Sequence, residues 1–216
     1  MAIKPILFNT EMVRVILDGR KTCTRRVAKN VPYHTHRIEP IYENGRLQFN
    51  CFYSAYAPTL DIYADFCMPY FPPYQQGDIL YVRETWGHPI SLNSDKQYVF
   101  RADKIAEIGF KNDSHIWHPS IHMPKEAARI WLKVTDVRVE RLQKITEDGA
   151  KAEGEIDNRG LIHSPENEYD RIHTAREHFI EIWDSTIKKS DLACYGWNAN
   201  PWVWVIEFER CEKPKE

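Results

Sequence analysis

Ile130, Leu132 and Val134 alternate as a strand would place them, and the alternation then slips by one place at Asp136 before resuming at Val137 and Val139. Successive side chains of a strand face opposite sides, so a slip of one would turn the core face to water unless the chain bulges. A bulge bends and twists its strand, as a small, strongly curved barrel requires. Residues 79–86, after the turn Gln76-Gly77-Asp78, and 202–209, after the turn at 198–201, read as further strands. The last is apolar on both faces in its first half and belongs in the middle of the sheet. Residues 3–8 and 98–101 add shorter strands.

Helical signals are fewer. Asn9 or Thr10 can cap a helix whose buried face is Met12, Val13, Ile16 and Leu17, running through Asp18. Residues 145–154 read as a short capped helix: an apolar residue before the cap, Glu147 and Asp148 in the first turn, and glycine after the end. After a polar loop at 155–168, Tyr169, Ile172, Phe179, Ile180, Trp183 and Ile187 predict an amphipathic helix over 169–187, with His173 and His178 on its surface. This inventory is α+β: a small β-barrel with flanking helices.

Residues 31–75 stand apart. They hold tyrosines 33, 42, 53, 56, 63, 70 and 74 of the eleven in the chain, and prolines 32, 40, 58, 69, 72 and 73 of the thirteen. We read them as an insertion in one domain spanning 1–216, with the loop and amphipathic helix of 155–190 as a second elaboration. Asn44-Gly45 between alternating residues is a hairpin signal, and residues 69–73 read as an irregular closing loop. The tyrosines either pack this flap down or stack on a base.

Composition excludes several classes. No apolar run approaches the ~20 residues of a membrane helix, and the N-terminus lacks a signal-peptide core, so a soluble, cytoplasmic protein is expected. Cysteines 23, 51, 67, 194 and 211 form no CxxC pair, which argues against a disulfide framework or a structural zinc. A formal net charge of −2 confines any nucleic-acid contact to a local patch and favours a small ligand over a long duplex. No phosphate loop, dinucleotide fingerprint or nucleophile elbow is present.

The densest basic patch is Gly19-Arg20-Lys21-Thr22-Cys23-Thr24-Arg25-Arg26, delivered at the end of the first helix. A run of this kind is either a solvated turn or a site. In a plain strand Lys21 and Thr24 would face opposite sides, so their cooperation requires a turn. The crowded cations call for an anion or carboxylates nearby and favour loss of a proton from Lys21. Arg83 and Glu84 end a buried strand and one of them needs an interior partner, as a structural ion pair or as ligand contacts. His115, His118 and His122 are broken up by Pro119 and Pro124 and lack a ligating carboxylate or thiol at metal spacing; we expect no metal, and a loop that offers Ser120 or a histidine to a ligand.

Four blocks together, Gly19-Arg20-Lys21-Thr22-x-Thr24-x-Arg26, Gly77-Asp78-x-Leu80-x-Val82, Ile145-Thr146-Glu147-x-x-Ala150-x-x-Glu153-Gly154 and Val203-x-Val205-Ile206-Glu207-Phe208, resemble the ASCH domain family. The segments 118–124 and 201–204 look like the longer ASCH forms carried by bacteriophages and prophages. The resemblance implies a PUA-like β-barrel associated with RNA binding. A bacterial branch of that family removes the acetyl group from N4-acetylcytidine with a lysine, a threonine and a glutamate, whose positions match Lys21, Thr24 and Glu153. It thus implies an amidohydrolase without cofactor, acting on an N-acylated cytosine nucleoside. Lys21 would take the proton of Thr24, Thr24 would attack the acetyl carbonyl, and Glu153 would protonate the leaving amine, with a backbone amide or arginine on the oxyanion. Arg20, Arg25, Arg26, Arg83, Glu84 and Ser120 are the expected substrate contacts. The alternative is a non-catalytic module for single-stranded or structured RNA or a modified base, with the arginines on phosphate and aromatic side chains on bases.

Overall fold

The structure, a computed structural model, describes residues 1–29, 31–32, 34–57, 62–89, 97–103, 117–156, 161–162, 171–172 and 174–214. In chain order the first half contains β1 (Ile3–Leu7), α1 (Thr10–Leu17), β2 (Cys23–Val27), β3 (Thr35–Glu43), β4 (Arg46–Ala57), β5 (Ile62–Tyr70), β6 (Ile79–Arg83), β7 (Trp86–Gly87) and β8 (Val99–Phe100). The second half contains β9 (Trp131–Arg141), α2 (Glu147–Ala152), β10 (Leu161–Ile162), β11 (Arg171–Ile172), α3 (Ala175–Thr186), α4 (Leu192–Tyr195) and β12 (Trp202–Cys211). The protein is α+β and mostly sheet.

Its centre is a five-stranded sheet in the order β1-β6-β9-β12-β2, with β1 and β6 parallel and the other pairs antiparallel. The slip in apolar phase is a bulge: Glu207 pairs with Asp136 but Phe208 with Val134, so Thr135 is the extra residue. The expected closure into a barrel is not made by a backbone ladder, because β1 and β2 are the two edges. Side chains span the gap instead. Arg26 Nη2 donates to the Leu7 carbonyl at 2.6 Å, and its guanidinium lies over the Phe8 ring.

The strand β12 explains why the sheet is covered on both sides. Trp204, Ile206 and Phe208 join a core with Phe8, Val13, Ile16 and Leu132, whereas Val203 and Val205 join another with Cys23, Ala150, Phe179 and Trp183. Truncating Trp204, which is 4% exposed, would cost about 3–5 kcal/mol. A third cluster places Trp86, Phe100, Met123 and Trp131 together beyond β6.

The segment 31–75 forms its own antiparallel sheet, β3-β4-β5, turned by Asn44 and Gly45, both at positive φ. Pro69 lies inside β5 rather than in a closing loop. The flap packs onto the main core through Phe49 and through Tyr70, which stacks on Trp204 at 5.3 Å and 8°. Several tyrosines therefore pack, while Tyr42, Tyr56 and Tyr63 stay exposed.

Two boundaries differ from the sequence reading. The strand expected over 79–86 breaks after Arg83, and Trp86–Gly87 pairs with β8 instead. The helix expected from Tyr169 starts at Ala175, because Thr174 and Glu177 form a reciprocal capping box and residues 171–172 are drawn into a ladder with β10. His173 and most of the loop at 155–168 lie outside the described residues. None of the described helices is long and apolar enough to cross a membrane.

Candidate active site

The basic segment is not a plain strand. α1 ends at Leu17, Gly19 takes φ +75°, and the amides of Arg20 and Lys21 both donate to the Val15 carbonyl. This tight exit drops the Lys21 side chain inward before β2 begins. Thr22 then ties the segment to α2, its amide donating to the Ala152 carbonyl at 2.9 Å. On the other side, Thr146 caps α2 by accepting from the Gly149 amide, and Gly154 at φ +101° turns the chain so that Glu153 points back towards Lys21. Any Cβ on Gly154 would lie 2.3 Å from Val15 Cγ1, so the approach of α1 to this turn requires glycine.

Lys21 is 4% exposed and Glu153 5%. Lys21 Nζ donates to Glu153 Oε2 at 2.5 Å and to the Glu153 main-chain carbonyl at 2.9 Å. Arg25 Nη1 reaches Glu153 Oε1 at 3.3 Å, but its Nη2 and Nε are closer to Glu140 Oε1, at 2.9 and 3.2 Å. The cation crowding seen in the sequence is thus relieved by two carboxylates, buried Glu153 and half-buried Glu140, and Lys21 faces an acid rather than another cation. Cys23, beside Arg25, is pushed up to about 12 by burial, with the Glu153 charge adding to it.

Strand alternation sorts the rest. Cys23 and Arg25 pair with Glu207 and Val205 on the face covered by α2 and α3, while Thr24 and Arg26 pair with Ile206 and Trp204 on the other. Because β2 is an edge strand, both sets reach one cavity of about 220 Å³. Its chemistry comes from Lys21, Thr24, Arg25, Arg26, Glu153 and Glu155, and its apolar walls from Phe8 on one side and Phe179 and Trp183 of α3 on the other. Thr24 lines this cavity, and its hydroxyl has no hydrogen-bond partner among the described residues.

Compared with models of protein families, with curated proteins and with solved structures, the chain matches none.

Of the residues singled out in the sequence, Lys21, Thr24, Glu153, Arg25 and Arg26 come together. Arg20, expected at the substrate, does not line the cavity; it donates to the Gly154 carbonyl at 2.8 Å and pairs with Asp18. Arg83, Glu84 and Ser120, expected at the substrate, do not line the cavity. Arg83 donates to the Met123 carbonyl at 2.9 Å. Glu84, 1% exposed, is held bidentately by Arg129, which also pairs with Asp103; this is the structural ion pair that the sequence left open. Ser120 opens a 3₁₀ turn, and His118 packs its ring on Trp86. His115 lies outside the described residues. Among the described residues no group of three or more His, Cys, Asp or Glu side chains is placed to hold a metal ion.

The sequence reading missed Glu140, Glu155 and the wall from α3. Glu155 accepts a hydrogen bond from His178, which is therefore a partner within the fold and not a free surface residue. Only the capping box Thr174-x-x-Glu177, legible in the sequence, could have set the start of α3 and so the direction of Phe179 and Trp183.

Proposed function

We propose that the protein is an amidohydrolase of the PUA-like ASCH type that acts on an N-acylated cytosine nucleoside, N4-acetylcytidine in kind. The observation that carries this reading is that Thr24, whose hydroxyl is unbonded among the described residues, lines the same small cavity as the buried Lys21–Glu153 pair. A cavity of about 220 Å³ is below the ~300–1,000 Å³ typical of larger ligands and suits a nucleoside.

The pair supplies both proton-transfer roles. Moving the shared proton from Lys21 Nζ to Glu153 Oε2 leaves a neutral amine and a carboxylic acid, with no change in net charge. The amine takes the Thr24 hydroxyl proton as Oγ bonds to the acyl carbon. The carboxylic acid protonates N4 as the C–N4 bond breaks, releasing cytidine and leaving an acyl ester on Thr24. Water then attacks the ester and gives its proton to the Glu153 carboxylate. Lys21 returns its proton to Thr24 Oγ as acetic acid departs.

The test is release of cytidine from N4-acetylcytidine by wild type and by Lys21→Ala, Thr24→Ala and Glu153→Gln, each checked for native circular dichroism. We expect losses of about 10²–10⁴ in kcat for the lysine and glutamate variants, no detectable turnover for Thr24→Ala, and partial recovery in Thr24→Ser. Folded wild type without turnover would overturn the reading.

A further inference from the structure

A second cavity, of about 370 Å³, opens directly beside the first and shares Leu7 and Arg26 with it. Its floor is Ile6, Val27 and Trp204, and its far wall is the end of the flap: Tyr70, Phe71, Pro73 and Tyr74. Phe71 is 64% exposed and has no ring partner among the described residues. Tyr70 is different, since its ring is spent on Trp204. Lys29 lines the same cavity, is exposed, and makes no side-chain hydrogen bond or ion pair among the described residues. Arg26 stands between the two cavities with its guanidinium on the Leu7 carbonyl and over Phe8, and among the described residues it too has no carboxylate in ion-pair contact. Among the described residues no acidic side chain lines the second cavity.

A ligand filling both cavities needs one flat group in the first, an anion near Arg26 and Lys29, and a second flat group against Phe71. That order of chemistry is base, phosphodiester, base. Building on the nucleoside reading above, we infer that the substrate is a single-stranded oligonucleotide, with the nucleotide next to the acylated cytidine bound in the second cavity. Lys29 and Arg26 take the connecting phosphate, and Phe71 stacks the neighbouring base. The flap then has a role that a protein for free nucleosides would not need: it supplies the wall that recognises the neighbour.

The experiment compares kcat/KM on free N4-acetylcytidine and on a three-nucleotide RNA with N4-acetylcytidine at its centre, for wild type, Phe71→Ala and Lys29→Ala. Both substituted side chains are exposed and lie outside the first cavity, so the variants should fold. Stacking of one base is worth about tenfold or more. The expected result is at least a tenfold preference of wild type for the trinucleotide, lost in Phe71→Ala and reduced in Lys29→Ala, with nucleoside turnover unchanged in both. Lys29→Ala should also flatten the dependence of log affinity on log salt by about 0.7. Equal turnover of nucleoside and trinucleotide by wild type, or equal effects of the variants on both, would overturn the inference and leave the nucleoside reading standing. If folded wild type hydrolyses neither, the nucleoside reading fails, and fluorescence anisotropy with the same trinucleotide decides the subsite. Binding weakened by both substitutions supports it, and binding indifferent to them overturns it.

Discussion

Lys21 meets Glu153 twice, through the carboxylate at 2.5 Å and through the main-chain carbonyl at 2.9 Å. The second bond fixes the ammonium to the turn after α2 and not only to a side chain that can rotate. The charged pair is thus placed by the junction of two helix ends, and its geometry persists only while that junction does.

The first prediction concerns this pair. Removing one partner of a buried ion pair leaves the other uncompensated, at a cost of about 3–5 kcal/mol. Glu153→Gln strands the Lys21 ammonium and should approach that figure by urea unfolding. Lys21→Met should cost less, because Arg25 Nη1 still reaches Glu153. The double variant should be more stable than the sum of the two losses predicts; strict additivity would mean that the two side chains are not energetically coupled.

The second is the turn itself. Gly154→Ala meets both a φ of +101° and the Val15 side chain at 2.3 Å, so strain and overpacking add, each about 1–3 kcal/mol. Adding Val15→Ala removes the clash but not the dihedral strain. The double variant should therefore regain part of the loss in thermal unfolding, and no regain would show that the contact with α1 is not what matters.

What the sequence disclosed was local. The Asn9 cap, the Asn44-Gly45 hairpin, the bulge, expected at Asp136 and found one residue earlier at Thr135, and the capped α2 each rest on residues within a few places of one another, and each is present. Lys21, Thr24 and Glu153 were legible as a group only through a resemblance, since 132 positions separate Lys21 from Glu153. Partners made solely by tertiary approach were invisible: Glu140 for Arg25, His178 for Glu155, Arg129 for Glu84. Glu84 shows the reason. A buried acid at a strand end announces that it needs a cation, but nothing near it in the chain says whether that cation belongs to the fold or to a ligand.

The third prediction is a pH dependence. Burial alone would raise Asp78, but hydrogen bonds from Lys4 and from the amides of Ala2 and Gln75 outweigh it and hold the carboxyl below its ordinary value. Between the folded and unfolded values the unfolded chain binds more protons, so stability rises with pH there. The contribution is complete above the unfolded value of about 3.9 and is lost as pH falls through the folded one. Asp78→Asn should lower stability at pH 7 by about 1–2 kcal/mol and flatten its decline below about pH 4 in denaturant titrations. A decline as steep as in wild type would assign the acid sensitivity to other carboxylates.

The last prediction uses the thiols to report on the wall of the candidate site. Cys23 and Cys51 are buried and pushed up to about 12 and about 11, chiefly by desolvation, whereas Cys67 and Cys194 are exposed. The thiolate is the reactive species, and at pH 8 a thiol at about 12 is ionised to only about one part in 10⁴. Iodoacetamide at pH 8 followed by peptide mass spectrometry should therefore label Cys67 and Cys194 rapidly, Cys211 more slowly, and Cys23 and Cys51 only after unfolding. Cys23 lies under α2 and α3, with Arg25 Nη1 3.9 Å from its sulfur, so its labelling rate measures how often β2 parts from those helices. Glu153→Gln, which removes one of the two acids that hold Arg25, should speed labelling at Cys23 while leaving Cys51 unchanged. Rapid labelling of Cys23 in the native wild type would contradict a closed wall and, with it, the buried setting that the Lys21–Glu153 pair requires.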